Sequence, residues 1–178
     1  MPSETEIEKF VRWFVTPVQV LRGLPSGDGA FVALSIAFTL FERYYRIETG
    51  TQDDHRDESF KNREAEDLNV NKEFFIVFWS TYRNGLLHQG NPKIYVNANR
   101  KHKWLISHEF DEFPTYFDKR GFRIICIDPW KFYDFILDKV YRNRKALKGI
   151  LSYRLGKIYD SNNPPLRTSV ALGQTYQR

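Results

Sequence analysis

Apolar residues recur with the 3.6-residue period of amphipathic helices over the first ninety positions of this chain, and the texture changes to strand-like runs after Pro92. Ile7, Phe10, Val11, Phe14, Val18 and Leu21 predict a first helix, which Pro17 is expected to kink or end. Residues 23–29 hold four glycine or proline positions and read as a turn. Phe31, Leu34, Phe38, Phe41 and Tyr45 then form one stripe, and Ile36, Leu40, Tyr44 and Ile47 a second. A helix apolar on two sides belongs at the centre of a bundle or is shared with a partner chain. Residues 49–69 are polar and charged, and predict a solvated loop with room for one short helix. The third helix is expected over about 71–87, where Phe75, Phe78, Trp79, Tyr82 and Leu86 make one core stripe. Ile76, Val77 and Leu87 point elsewhere on it, and Gly90-Asn91-Pro92 ends it.

Residues 93–97 and 103–107 read as strands, and the polar link between them predicts a hairpin. A third strand is expected over 122–127, after Lys119-Arg120-Gly121. Asp128-Pro129 is a helix start, a capping carboxylate followed by proline at the first helical position, and Phe132, Phe135, Ile136 and Val140 continue a last long helix. The expected architecture is mainly α: an up-and-down bundle of four helices, with a small antiparallel β insertion at about 93–127 between the third and fourth. Residues 1–160 form one domain in this reading and 161–178 an irregular tail.

Composition narrows the function classes. Among 178 residues, 15 Phe, 10 Tyr and 4 Trp supply a dense core, which argues against disorder. The longest apolar run, 31–41, is broken by Ser35 and Thr39 and is too short for a bilayer, so no membrane association is expected. The first residues show no basic leader followed by an apolar segment, so secretion is not expected either. Cys126 is the single cysteine, which excludes an internal disulfide framework and a cysteine zinc cage and fits a reducing cytoplasm. Residues 1–90 carry 10 Lys and Arg against 14 Asp and Glu, whereas residues 91–178 carry 17 against 8. The basic half is compatible with a polyanion such as RNA, and equally with an ordinary soluble surface.

The chemistry-bearing segment is residues 80–90, which gathers Arg83, Asn84 and His88 at a helix C-terminus. Asn84 and His88, four apart, share a face, while Arg83 and His88, five apart, diverge by roughly 140°. Two arrangements would bring the latter pair onto one target. Either the 85–90 region unwinds, or two copies of the helix meet about a two-fold axis and pool their side chains. The simpler alternatives are a histidine that complements the helix dipole and an arginine paired with an acid such as Glu42 or Asp67.

Arg-Asn-x-x-x-His at the end of the third helix of a four-helix bundle resembles the HEPN superfamily (higher eukaryotes and prokaryotes nucleotide-binding domains). The pattern there is Arg, four to six residues, then His, often with a polar residue after the Arg. Arg83, Asn84 and His88 match it, and the framework of about 5–90 plus 128–150 is compatible. The strands at 93–127 are extra to the minimal bundle. The resemblance implies a metal-independent endoribonuclease, without a cofactor, acting at a homodimer interface formed by the second and third helices. His88 would be general base or acid, Arg83 the phosphate and transition-state stabiliser, and Asn84 the orienting residue. It also implies a toxin or defence setting with a neutralising protein partner. The alternative within the family is a non-catalytic module that binds RNA, nucleotide or a protein partner. A third option is an interaction protein whose Arg83 and His88 knit the dimer.

Weaker signals surround this core. Lys139, Arg142, Arg144, Lys145, Lys148, Arg154 and Lys157 are interleaved with Tyr141, Tyr153 and Tyr159, and can either follow an RNA backbone or form a solvated helix face. Of these, Arg142, Lys145 and Lys148 are the RNA-binding candidates. Glu42 and Arg46 are candidates for support behind the Arg83–His88 helix. His102, His108 and Asp111 fit no familiar metal spacing, so no metal is expected. Cys126, in an apolar run, reads as a core residue.

Overall fold

A computed structural model describes residues 5–51, 58–97, 100–110 and 113–152. The protein is mainly helical with a small four-stranded sheet. Helix α1 (Glu6–Phe10) starts at a reciprocal cap: the Thr5 hydroxyl accepts from the Glu8 N–H at 3.2 Å, and the Glu8 carboxylate accepts from the Thr5 N–H at 2.8 Å. A π-helical turn (Val11–Val15) joins it to α2 (Thr16–Arg22). Pro17 therefore does not end the helical run: it stands at the start of α2, and the α-helix gives way to the wider turn just ahead of it. A short 3₁₀ turn (Pro25–Gly27) leads into α3 (Ala30–Thr49), which Gly50 closes in the left-handed region at φ 71°.

Helix α3 is the central element. It packs most extensively along α7 (Pro129–Arg142) and also meets α2, α4 (Glu58–Asp67), α6 (Arg83–Gln89) and α8 (Arg144–Leu151). Both of its predicted stripes are used: Leu34, Phe38, Phe41 and Tyr45 are buried, as are Leu40 and Tyr44. Phe38 and Phe41 lie 4.7 and 5.3 Å from the ring of Phe132 on α7. Phe31 departs from the expectation, standing 37% exposed at the start of the helix.

The polar stretch does contain its one helix, α4. Only Phe60, Glu64 and Ala65 of its ten residues are buried, too few to announce it by periodicity. Its end is tied to two other helices. The Tyr45 hydroxyl donates to Asp67 at 2.6 Å, Lys139 on α7 donates to the same oxygen at 2.8 Å, and Arg63 stands 3.7 Å away. Burial pushes the Asp67 carboxyl up, but the hydrogen bonds from Lys139 and Tyr45 and the charges of Lys139 and Arg63 prevail and hold it below its usual range. A carboxyl depressed in the folded state stabilises above its unfolded pKa, about 3.9, and that contribution is lost as pH falls further. Thermal unfolding measured between pH 7 and pH 3 should therefore show a decline below about pH 4 that Asp67→Asn flattens.

The third predicted helix is broken in two, α5 (Lys72–Thr81) and α6, at Tyr82. Tyr82 itself keeps helical angles (φ −92°, ψ −62°), the Thr81 carbonyl before it accepts from the Lys93 N–H at 2.9 Å, and the junction is tied to the sheet. Its strands β1 (Tyr95–Asn97), β2 (Arg100–Ile106), β3 (Thr115–Lys119) and β4 (Phe122–Ile127) lie in the order β1-β2-β4-β3. The Tyr82 hydroxyl sits 2.8 Å from the Leu105 carbonyl and 2.7 Å from that of Ile125, and accepts from the Leu105 N–H at 3.2 Å. One phenol thus pins the helix junction to two neighbouring strands. Tyr82→Phe should lower stability by about 1–3 kcal/mol, read from urea unfolding, because it leaves buried strand carbonyls short of a partner.

The sheet corrects the antiparallel expectation. β1–β2 and β3–β4 are antiparallel, but β2 and β4 run parallel, Lys101 opposite Phe122 through Ile106 opposite Ile127. After β2 the chain crosses to the outer edge, forms β3, and returns through a tight turn that inserts β4 between them. Arg120 (φ 49°) and Gly121 (φ 78°) occupy that turn, both left-handed as a two-residue hairpin loop requires. The last long helix is also divided. Asn143 leaves helical geometry and caps α8 by accepting from the Ala146 N–H at 3.0 Å. The predicted cap at Asp128 is present, its carboxylate accepting from Trp130 and Lys131 at 2.8 and 3.0 Å. The predicted tail lies outside the described residues. Among the described residues, no helix is long and apolar enough to cross a membrane.

Candidate functional site

Helix α6 carries the Arg83-Asn84-x-x-x-His88 segment from end to end, with Gly90 as its left-handed cap at φ 72°. The chain then doubles back: the Lys93 N–H donates to the Thr81 carbonyl at 2.9 Å. This return run presses on Gly85, where a Cβ would meet the Asn91 oxygen and the Lys93 nitrogen at 2.6 Å. Only glycine fits there, and the contact keeps α6 in register with the run that leads into β1. The helix does not unwind between Gly85 and Gly90, so the first of the two routes to convergence is not taken.

Arg83 opens α6 and its side chain is only 11% exposed. Its Nε and Nη2 donate to Glu42 Oε2 on α3 at 2.9 and 2.6 Å, and its Nη1 donates to Asn84 Oδ1 at 3.0 Å. The guanidinium also lies 5.5 Å from the Trp79 ring. Arg46, one turn beyond Glu42, donates to Glu42 Oε1 at 2.5 Å. One carboxylate thus holds two guanidiniums: of the predicted supporting pair, Glu42 contacts the predicted arginine directly and Arg46 contacts Glu42. Such an arrangement offsets the cost of burying Arg83 and fixes its plane.

His88 lies in the last turn of α6, exposed alongside Leu87 and Gln89, and makes no hydrogen bond or ion pair among the described residues. Arg83 and His88 therefore do not meet within one protomer: one is packed toward α3, the other faces solvent. Leu87 is 40% and Ile76 36% exposed, two separate apolar side chains left uncovered on α6 and α5. Val77, named with them from the sequence, is buried within the chain. A cleft of about 390 Å³ opens nearby, lined by Glu42, Arg43 and Arg46 together with Leu40, Leu87 and Ile150. It reaches Glu42, which braces Arg83, though neither Arg83, Asn84 nor His88 lines it.

The basic-helix candidates divide. Lys145 and Lys148 lie on the exposed face of α8, opposite the buried Ala146, Leu147 and Ile150. Arg142 is exposed and pairs with Asp138 at 2.8 Å. Lys139 leaves the basic face altogether, turned inward to Asp67. Arg154, Lys157, Tyr153 and Tyr159 lie outside the described residues, as does Asp111. No group of three or more His, Cys, Asp or Glu suited to a metal occurs among the described residues. His102 is buried on β2, its Nδ1 without a partner, and burial followed by the charges of Arg123 and Arg100 pushes its pKa down. Cys126 is buried, and burial pushes its thiol up to about 11, so it stays a protonated core residue near neutral pH. Comparison of the chain with family models, with curated proteins and with solved structures returns no match.

Proposed function

We propose that this protein is a metal-independent endoribonuclease of the HEPN type, acting as a homodimer whose two α6 helices together form the site. The carrying observation is an arginine held at the start of α6 by Glu42 and Asn84, with an exposed histidine at the end of the same helix that has no partner among the described residues, beside the exposed Leu87. A guanidinium buried this deeply is orientated before any phosphate arrives, and stabilises the charge that develops on the non-bridging oxygens. Because Arg83 and His88 diverge on a regular helix, a second copy supplies the missing half of the constellation.

The reaction needs only these side chains. A neutral imidazole takes the proton from a ribose 2′-hydroxyl, and the 2′-oxygen forms a bond to the adjacent phosphorus. The bond from phosphorus to the 5′-oxygen breaks, and the departing oxygen takes a proton from the imidazolium of the other copy. The products are a 2′,3′-cyclic phosphate and a 5′-hydroxyl. Asn84 steadies Arg83 in this scheme.

The second reading, a module that binds RNA, nucleotide or protein without cutting, is favoured by one observation: the Glu42 carboxylate already occupies the Nε–Nη2 edge of the Arg83 guanidinium. Incubating purified protein with single-stranded RNA in EDTA separates the two. The nuclease gives cyclic-phosphate ends that Arg83→Ala and His88→Ala both abolish; the binding module leaves bound RNA intact.

A further inference from the structure

The sheet sorts its charges by face. In the observed register, His102, Arg123 and Asp118 share the side turned toward the helices with Ile125 and Ile127, which belong to the core. Asp118 is engaged there, 3.1 Å from Arg123 and 3.6 Å from Arg100. Side chains alternate along a strand, so Lys101, Lys103, Lys119, Phe117, Phe122 and Ile124 fall on the opposite side. All six are exposed or half-buried. The only acid in the described strands, Asp118, faces the helices, so every charged side chain on this outer side is a lysine.

The three lysines make no hydrogen bond or ion pair among the described residues. The Lys103 ammonium instead stands 3.8 Å above the ring of Phe122. Lys101 and Lys119 flank that same phenylalanine from the two neighbouring strands, each opposite it in register. Phe117 lies one position inward and touches Phe110 of the β2–β3 connection, whose ring centre is 6.2 Å away. Alternate residues along β2 are about 7 Å apart, the scale of successive phosphates in an extended strand. Accessible phenyl rings among ammoniums that have no ion pair among the described residues, with no carboxylate among the described strand residues of this side, make a stacking platform with an electrostatic rail.

We propose that this outer sheet face binds single-stranded RNA, its bases stacking on Phe122 and Phe117 and its phosphates pairing with Lys101, Lys103 and Lys119. The inference deepens the nuclease reading and rests on it for the identity of the polyanion: the β insertion holds the strand that the α6 site cuts. Charge complementarity favours a polyanion, and the rings favour one with flat bases over an acidic polypeptide.

The full chain carrying His88→Ala, which is expected to leave the probe uncut, is titrated with a fluorescent 12-nucleotide oligouridylate and followed by anisotropy across a salt series. Combined Lys101→Ala, Lys103→Ala and Lys119→Ala is expected to weaken binding at least tenfold and to flatten the salt dependence by about two to three phosphate contacts. Phe122→Leu, which keeps every charge, is expected to weaken binding about fivefold or more. Unchanged affinity in the lysine variant overturns the proposal. A Phe122→Leu variant that binds like its parent also overturns it, because charge alone would then account for the contact. Stronger competition by polyglutamate than by unlabelled RNA assigns the face to an acidic protein and overturns it likewise. Melting temperatures confirm that each variant folds. The two proposals fail separately: RNA bound through this face but not cut by the unsubstituted chain sinks the nuclease alone, and RNA cut with full efficiency by the lysine variant sinks the sheet platform alone.

Discussion

His88→Ala is expected to lower RNA cleavage by at least a hundredfold and to leave the fold intact. Positioned proton transfer contributes about 10²–10⁴-fold to such reactions, and both the base and the acid of the proposed dimer are copies of this one side chain. The stability side is equally definite. His88 is exposed and has no partner among the described residues, so its removal should change unfolding by less than about 0.5 kcal/mol. The variant is therefore a clean instrument: initial rates on a fluorogenic RNA fall, and the urea transition stays where it was. A rate within a few-fold of the parent's would remove histidine from the chemistry.

Glu42→Ala should have the largest effect on stability, about 3–5 kcal/mol. The carboxylate is the shared acceptor of Arg83 and Arg46, and its side chain is 12% exposed against 11% for Arg83. Deleting it leaves a nearly buried guanidinium beside Trp79 with its main counter-charge gone. Removing Glu42 together with Arg83, the more buried of its two arginines, is a different experiment. Glu42→Met combined with Arg83→Met fills similar volume with apolar atoms and should recover most of the loss, since a buried ion pair and a well-packed apolar pair are often of comparable stability. That double variant should unfold near the parent's urea midpoint and cut no RNA. If it were as active as the parent, the pair would be scaffolding only. Glu42→Ala unfolding at the parent's midpoint would show instead that Arg83 finds water or another acceptor.

Much of the architecture is legible in the chain, and the parts that are not have physical reasons. The two stripes of α3, the aromatic stripe of α5 and the Asp128-Pro129 cap are local patterns, and they appear where periodicity puts them. The breaks at Tyr82 and Asn143 are not local. At the first, the Thr81 carbonyl accepts from Lys93 and the Tyr82 phenol reaches across to Leu105 and Ile125, and the second depends on an asparagine that both caps α8 and donates to Glu48 at 2.7 Å. The β3 strand, Thr-Tyr-Phe-Asp-Lys, alternates too weakly to stand out, and without it the parallel pairing of β2 with β4 is invisible.

The candidate site divides along the same line. Arg83, Asn84 and His88 stand out by spacing, and Glu42 is among the acids that composition offers to Arg83. The geometry adds what spacing leaves open: that Arg83 is braced from α3, that His88 has no partner among the described residues, and that α6 stays helical between them. Lys139 looks like its basic neighbours until Asp67 is seen to hold it. The lysines of the sheet become a set only through strand register. Lys101 and Lys103 hint at it by their spacing of two, but Lys119 joins them from a strand that the sequence does not announce.

The central claim is that the 2′-hydroxyl next to the broken bond is the nucleophile, with no metal taking part. After the preferred cleavage position is mapped on an RNA oligonucleotide in EDTA, the oligonucleotide is resynthesised with one 2′-deoxy residue on the 5′ side of that bond. The account predicts that cutting at this bond ceases, while the unmodified control yields a 2′,3′-cyclic phosphate. Continued cutting at the deoxy position, or cleavage that appears only when a divalent metal is restored, would contradict it.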